Sequence, residues 1–130
     1  MNKNPFITLL EIYKNSNKLP NANEISEVLK DIPGLSKFNM VICENGDTIR
    51  FEYKHRSSST GLVYNRTFCT IILGRPAGNA GDVLCVLFTF NELVKYDFKD
   101  LYNELSKILI TEYGFSHDYF ETFVLRWKAF

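Results

Sequence analysis

Apolar positions recur at helical spacing toward both ends of the chain and at strand spacing through its middle. Phe6, Leu9, Leu10 and Tyr13 fall at i, i+3, i+4 and i+7, one stripe of a helix. Asn4-Pro5 supplies an N-cap and a first-turn proline, and Asn15-Ser16-Asn17 ends the pattern. A second stripe, Ile25, Val28, Leu29 and Ile32, follows Pro20-Asn21, with Glu24 placed to close a capping box, and Pro33-Gly34 stops it. Glu44-Asn45-Gly46-Asp47 then carries the chemistry of a two-residue type I′ turn, whose central residues both need positive φ. Pairing outward from it sets Ile42 against Ile49, Met40 against Phe51 and Phe38 against Tyr53 on one face. Cys43/Thr48, Val41/Arg50 and Asn39/Glu52 take the other.

Residues 62–73 form a β-branched and aromatic run, a third strand with Tyr64, Phe68 and Ile72 expected on one side. The turn-rich residues 74–81 lead to residues 83–90, apolar on both faces and so a central or well-covered strand. Asp97 is placed to cap a helix striped by Phe98, Leu101, Tyr102, Leu105, Ile108 and Leu109, with Gly114 at its end. Ser116 opens a last predicted helix with Phe120, Phe123, Val124 and Trp127 at i, i+3, i+4 and i+7. The expected architecture is one α+β domain over residues 1–130. It has two N-terminal helices, about four antiparallel strands in a meander, and two C-terminal helices packed on the sheet.

Charge narrows the function classes. Fifteen basic and fifteen acidic side chains give no net charge, which disfavours sequence-independent nucleic-acid binding. The charge is polarised, however. Between residues 50 and 75, Arg50, Lys54, Arg56, Arg66 and Arg75 face Glu52 alone, a net of plus four. Between residues 91 and 121 the balance is minus four, with Asp97, Asp100, Glu104, Asp118 and Glu121 on the two predicted helices. Cys43, Cys69 and Cys85 are odd in number and widely spaced within apolar runs, as for reduced, buried thiols of a cytoplasmic protein. Met-Asn-Lys-Asn-Pro does not read as a secretory signal, and the run 83–88 is too short to span a bilayer.

Candidate chemistry is sparse. Gly74, Gly78, Gly81 and Arg75 suggest a phosphate loop, but no Gly-Lys-Ser/Thr follows and the segment runs into a strand, so a turn is the better reading. His55 and His117 would be the acid and base of a small nuclease or hydrolase, though nothing in the sequence sets their separation. No pair has metal-ligand spacing, so neither metal nor cofactor is expected. Lys54, Arg56 and Arg66 near Tyr53 and Tyr64 leave single-stranded nucleic-acid binding as a lesser alternative.

In size, in its Asn-, Lys-, Ile- and Tyr-rich composition and in lacking a catalytic motif, the chain resembles the small immunity proteins of bacterial contact-dependent inhibition and other polymorphic toxin systems. The resemblance implies a non-enzymatic cytoplasmic protein that neutralises a cognate toxin by tight one-to-one binding, and it transfers no binding residue. Charge supplies the candidates: Asp97, Asp100, Glu104, Asp118 and Glu121 as an acidic surface for a basic toxin domain. Arg56, Arg66 and Arg75 form the rival patch.

Overall fold

The computed structural model describes residues 4–16, 20–43, 47–74, 83–118 and 120–128. Its elements in chain order are helices α1 (Pro5–Ser16) and α2 (Ala22–Leu29), then strands β1 (Asn39–Ile42), β2 (Thr48–Arg56), β3 (Val63–Gly74) and β4 (Val83–Phe90). A four-residue helix α3 (Val94–Asp97), helix α4 (Lys99–Thr111) and strands β5 (Ser116–His117) and β6 (Thr122–Lys128) complete it. The architecture is α+β, with a six-stranded antiparallel sheet of order β1-β2-β3-β4-β6-β5.

Local chemistry fixes the N-terminal helices. Asn4 Oδ1 accepts from the Phe6 N–H at 3.1 Å, and its Nδ2 donates to the Tyr113 carbonyl at 2.7 Å, tying the start of α1 to the end of α4. Asn21 and Glu24 close the expected capping box on α2. Gly34 has φ 82°, the left-handed region that favours glycine, and the Leu101 side chain packs over its open Cα.

The expected hairpin register is present: Ile42 pairs with Ile49, Met40 with Phe51, Val41 with Arg50 and Asn39 with Glu52. Cys43 N–H donates to Thr48 O at 2.9 Å. Phe38 lies before β1, its ring 6.0 Å from that of Tyr53. The Asn45-Gly46 turn lies outside the described residues. One sheet face, with Ile49, Phe51, Cys69, Ile71, Leu84, Val86, Phe88, Phe90, Phe123 and Leu125, is buried in a single cluster with Phe6, Leu9, Leu10, Ile25, Leu29, Leu105 and Leu109 of the helices. Rings dominate it: Phe6 meets Phe88, Tyr113 and Phe115 edge-on, and Phe38 stacks on Phe68 at 4.3 Å. The opposite face bears Thr48, Arg50, Thr70, Ile72, Leu87, Thr89 and Arg126, all at least partly open to solvent.

Three expectations are corrected. The last predicted helix is the β5–β6 hairpin. Phe123, Leu125 and Trp127 alternate at period two as well as Phe120, Phe123, Val124 and Trp127 fit period 3.6, and pairing with β4 from Thr89↔Thr122 to Val83↔Lys128 decides for the strand. In β3 a bulge breaks the alternation. Phe51 pairs with Cys69 but Glu52 with Thr67, so Phe68 is the extra residue. Phe68 and Cys69 are both buried, while Tyr64 and Ile72 are exposed. Asp97 does not cap α4: the capping position is Phe98, with no side-chain bond, because the Asp97 carboxylate is engaged elsewhere.

Candidate interaction site at the α3 end of the sheet

α3 sits where β4 has ended, and two carboxylates pin it to the strands on either side. On the β2–β3 side, Asp97 Oδ2 accepts from Arg66 Nη1 at 2.8 Å and from the Tyr53 hydroxyl, with His55 Nδ1 3.9 Å away. The bulge aims Arg66 here, and Arg66 Nη2 also donates to the Tyr64 hydroxyl at 2.8 Å. On the β6 side, Lys95 Nζ lies 2.5 Å from Glu121 Oε1, and the Tyr102 hydroxyl donates to Glu121 Oε2. His117 Nε2 lies 2.6 Å from the Phe120 carbonyl, which can only accept, so that nitrogen carries the proton.

The electrostatics follow these partners. The Tyr53 hydrogen bond, against the opposing effect of burial and with help from Arg66, holds the Asp97 carboxyl below its ordinary value. Burial, then the Asp97 hydrogen bond, raises the Tyr53 phenol to about 12. Glu121 is pushed up by burial, but the Lys95 and Tyr102 hydrogen bonds outweigh that and leave it lowered. A carboxyl depressed in the fold stabilises above its unfolded pKa of about 4, and that contribution is lost as pH falls through the folded value. Asp97→Asn is therefore expected to cost about 1–2 kcal/mol at pH 7, with the difference from the parent protein shrinking below about pH 4. Urea melts of both proteins from pH 3 to 7 check this.

Between the two networks, the Tyr96 ring is 83% exposed, flanked in sequence by the paired Lys95 and Asp97. Next to Glu121, Phe120 is 75% exposed and holds φ 52°, a conformation that costs a non-glycine residue about 1–2 kcal/mol. Leu93 is exposed too, one residue before α3. The end of the sheet thus presents large apolar side chains on an ion-paired base.

Of the five acidic candidates, Asp97 and Glu121 are neutralised by internal partners, whereas Asp100 and Glu104 on α4 and Asp118 after β5 are exposed. Asp97 lies on α3, Asp100 and Glu104 on α4, and Asp118 and Glu121 in the β5–β6 hairpin that stands in place of the last predicted helix. In the rival patch, Arg66 is spent on Asp97, Arg56 is exposed and donates to the Gly61 carbonyl at 2.7 Å, and Arg75 lies outside the described residues, as do Gly78 and Gly81. His55 and His117 belong to separate networks on opposite sides of α3. Among the described residues, no group of His, Cys, Asp and Glu is arranged to hold a metal ion. Cys69 is fully buried, and burial pushes its thiol well above the ordinary value. A shallow groove between α2 and the β1–β2 edge, lined by Leu29, Leu35, Phe38, Met40 and Phe51, contains neither network. No described helix is long and apolar enough to cross a membrane.

Sequence reasoning missed Tyr96 and Phe120. Phe120 fits a helical stripe in the sequence, while Tyr96 stands between two opposite charges and off the α4 stripe. A scan against protein-family models finds no match to this chain, and searches of curated proteins and of solved structures find none either.

Proposed function

We propose that this chain is a non-catalytic protein-binding domain of the immunity type, acting in the cytoplasm to occlude a cognate toxin in a one-to-one complex. The observation that carries the reading is Phe120: a large ring held in solvent on a backbone that disfavours it, at the same end of the sheet as the exposed Tyr96. Backbone conformations that are costly for a non-glycine residue concentrate at binding and active sites. The ionisable groups nearby hold one another, which makes a rigid base for contact.

Tyr96, Phe120 and Leu93 are the anchors, and Asp100, Glu104 and Asp118 belong to the polar rim. An acidic rim suits a toxin whose cleft is basic because it handles nucleic acid. Asp100→Lys with Glu104→Lys should slow association with the toxin about tenfold and weaken its salt dependence, with the fold intact because both side chains are exposed. Stopped-flow association at two salt concentrations tests this. Unchanged association in this variant, with slowing when Arg56 is reversed instead, would transfer the site to the basic side.

A further inference from the structure

The β2–β3 hairpin is longer than the sheet that holds it. β1 pairs with β2 only as far as Asn39↔Glu52, and β4 pairs with β3 only from Cys69↔Phe90. Beyond these, Tyr53↔Arg66, Lys54↔Asn65, His55↔Tyr64 and Arg56↔Val63 form a two-stranded arm, and no strand among the described residues pairs with either flank. Four residue pairs reach roughly 13 Å past the sheet. The root is fixed: Tyr53 packs edge-on to Phe98 at 4.8 Å, and Tyr53 and Arg66 both bond to Asp97.

The arm's outer edge on β3 is open. Ser57 N–H donates to Leu62 O at 2.8 Å, so residues 62, 64 and 66 turn their main-chain groups toward β2 by antiparallel alternation. Val63, Asn65 and Thr67 turn theirs outward. Leu62 and Val63 on this edge are 67% and 46% exposed. Proteins usually blunt such an edge, because unpaired N–H and C=O groups recruit another strand.

Charge selects the strand that can come. Residues 53–66 contain Lys54, His55, Arg56 and Arg66 and no acid. A second copy of the arm would bring the same cations into register and be repelled. Nucleic acid is the poorer match. With Arg66 spent on Asp97, Lys54 and Arg56 are the exposed strong cations, too few for binding driven by counterion release. The Tyr64 ring is already in contact with Arg66 at 5.5 Å and His55 at 5.5 Å, so stacking with a base would have to displace them.

We infer that the β3 edge of this arm, from Val63 to Thr67, docks an extended acidic segment of a protein partner by strand addition. Main-chain hydrogen bonds supply the affinity, and Lys54 and Arg56 select the sign of charge. This surface adjoins the α3 end through Arg66 and does not depend on the toxin reading.

Fluorescence anisotropy with a labelled (Glu-Val)5 peptide tests it, with (Lys-Val)5 and (dT)12 as competing probes. Saturable binding is expected for (Glu-Val)5 alone, weakened at least tenfold by Lys54→Glu with Arg56→Glu. Asn65→Pro, which removes an outward N–H, should weaken it equally, whereas Asn65→Ala should leave it unchanged. Should Asn65→Pro disturb the fold, (Glu-Val)5 N-methylated at alternate residues replaces it and should fail to bind the parent protein. Full binding of the N-methylated peptide, tighter binding of (dT)12, or no saturable binding of (Glu-Val)5 up to millimolar concentration would each overturn the inference.

Discussion

Phe68→Ala is expected to destabilise the domain by about 3–5 kcal/mol, a large part of the roughly 5–15 kcal/mol available to a domain of this kind. The ring is fully buried, stacked on Phe38 at 4.3 Å and edge-on to Phe90 and Phe98. It is also the extra residue of the bulge, so it links the β3 backbone to the aromatic cluster beneath α3 and α4. Removing it leaves a cavity where three elements meet and loosens the bend that aims Arg66 at Asp97. Thermal melts should show a fall of at least about 10 °C. A shift within about 2 °C would mean that the cluster does not carry this end of the fold.

The second large effect concerns binding and separates it from stability. Tyr96→Ala should weaken partner binding by about 2 kcal/mol or more, roughly thirtyfold, while changing stability by no more than ~0.5 kcal/mol, because the ring is exposed. Phe120→Gly should weaken binding comparably yet raise stability by about 1 kcal/mol, since glycine holds φ 52° without strain. Opposite signs for binding and stability at one residue are what a functional cost predicts. Loss of both together would make Phe120 a structural residue.

What could be read from the chain depended on the range of the interactions involved. The Asn4 and Asn21 caps and the β1–β2 register are decided within a few residues of each position, and they emerge as expected. The segment 116–127 fits two periodicities, and only the free edge of β4, more than twenty residues away, selects the strand. The bulge at Phe68 has no glycine or proline to announce it. At the candidate site, two of the acidic positions are engaged within the fold. Asp97 and Glu121 read as exposed because their partners Tyr53, Arg66, Lys95 and Tyr102 lie at other positions in the chain. The pairing turns a run of acids into a scaffold beside the exposed rings of Tyr96 and Phe120.

The most direct measurement of the central claim is site-specific photo-crosslinking from position 96. p-Azidophenylalanine is placed there in the full chain inside the cells that make it, and the adducts are identified by mass spectrometry. One dominant protein adduct is expected, with one copy of each chain, and Phe120→Gly should reduce it strongly. Absence of any specific protein adduct at position 96, together with turnover of RNA or nucleotide by the purified chain that is lost in His55→Ala or His117→Ala, would contradict it.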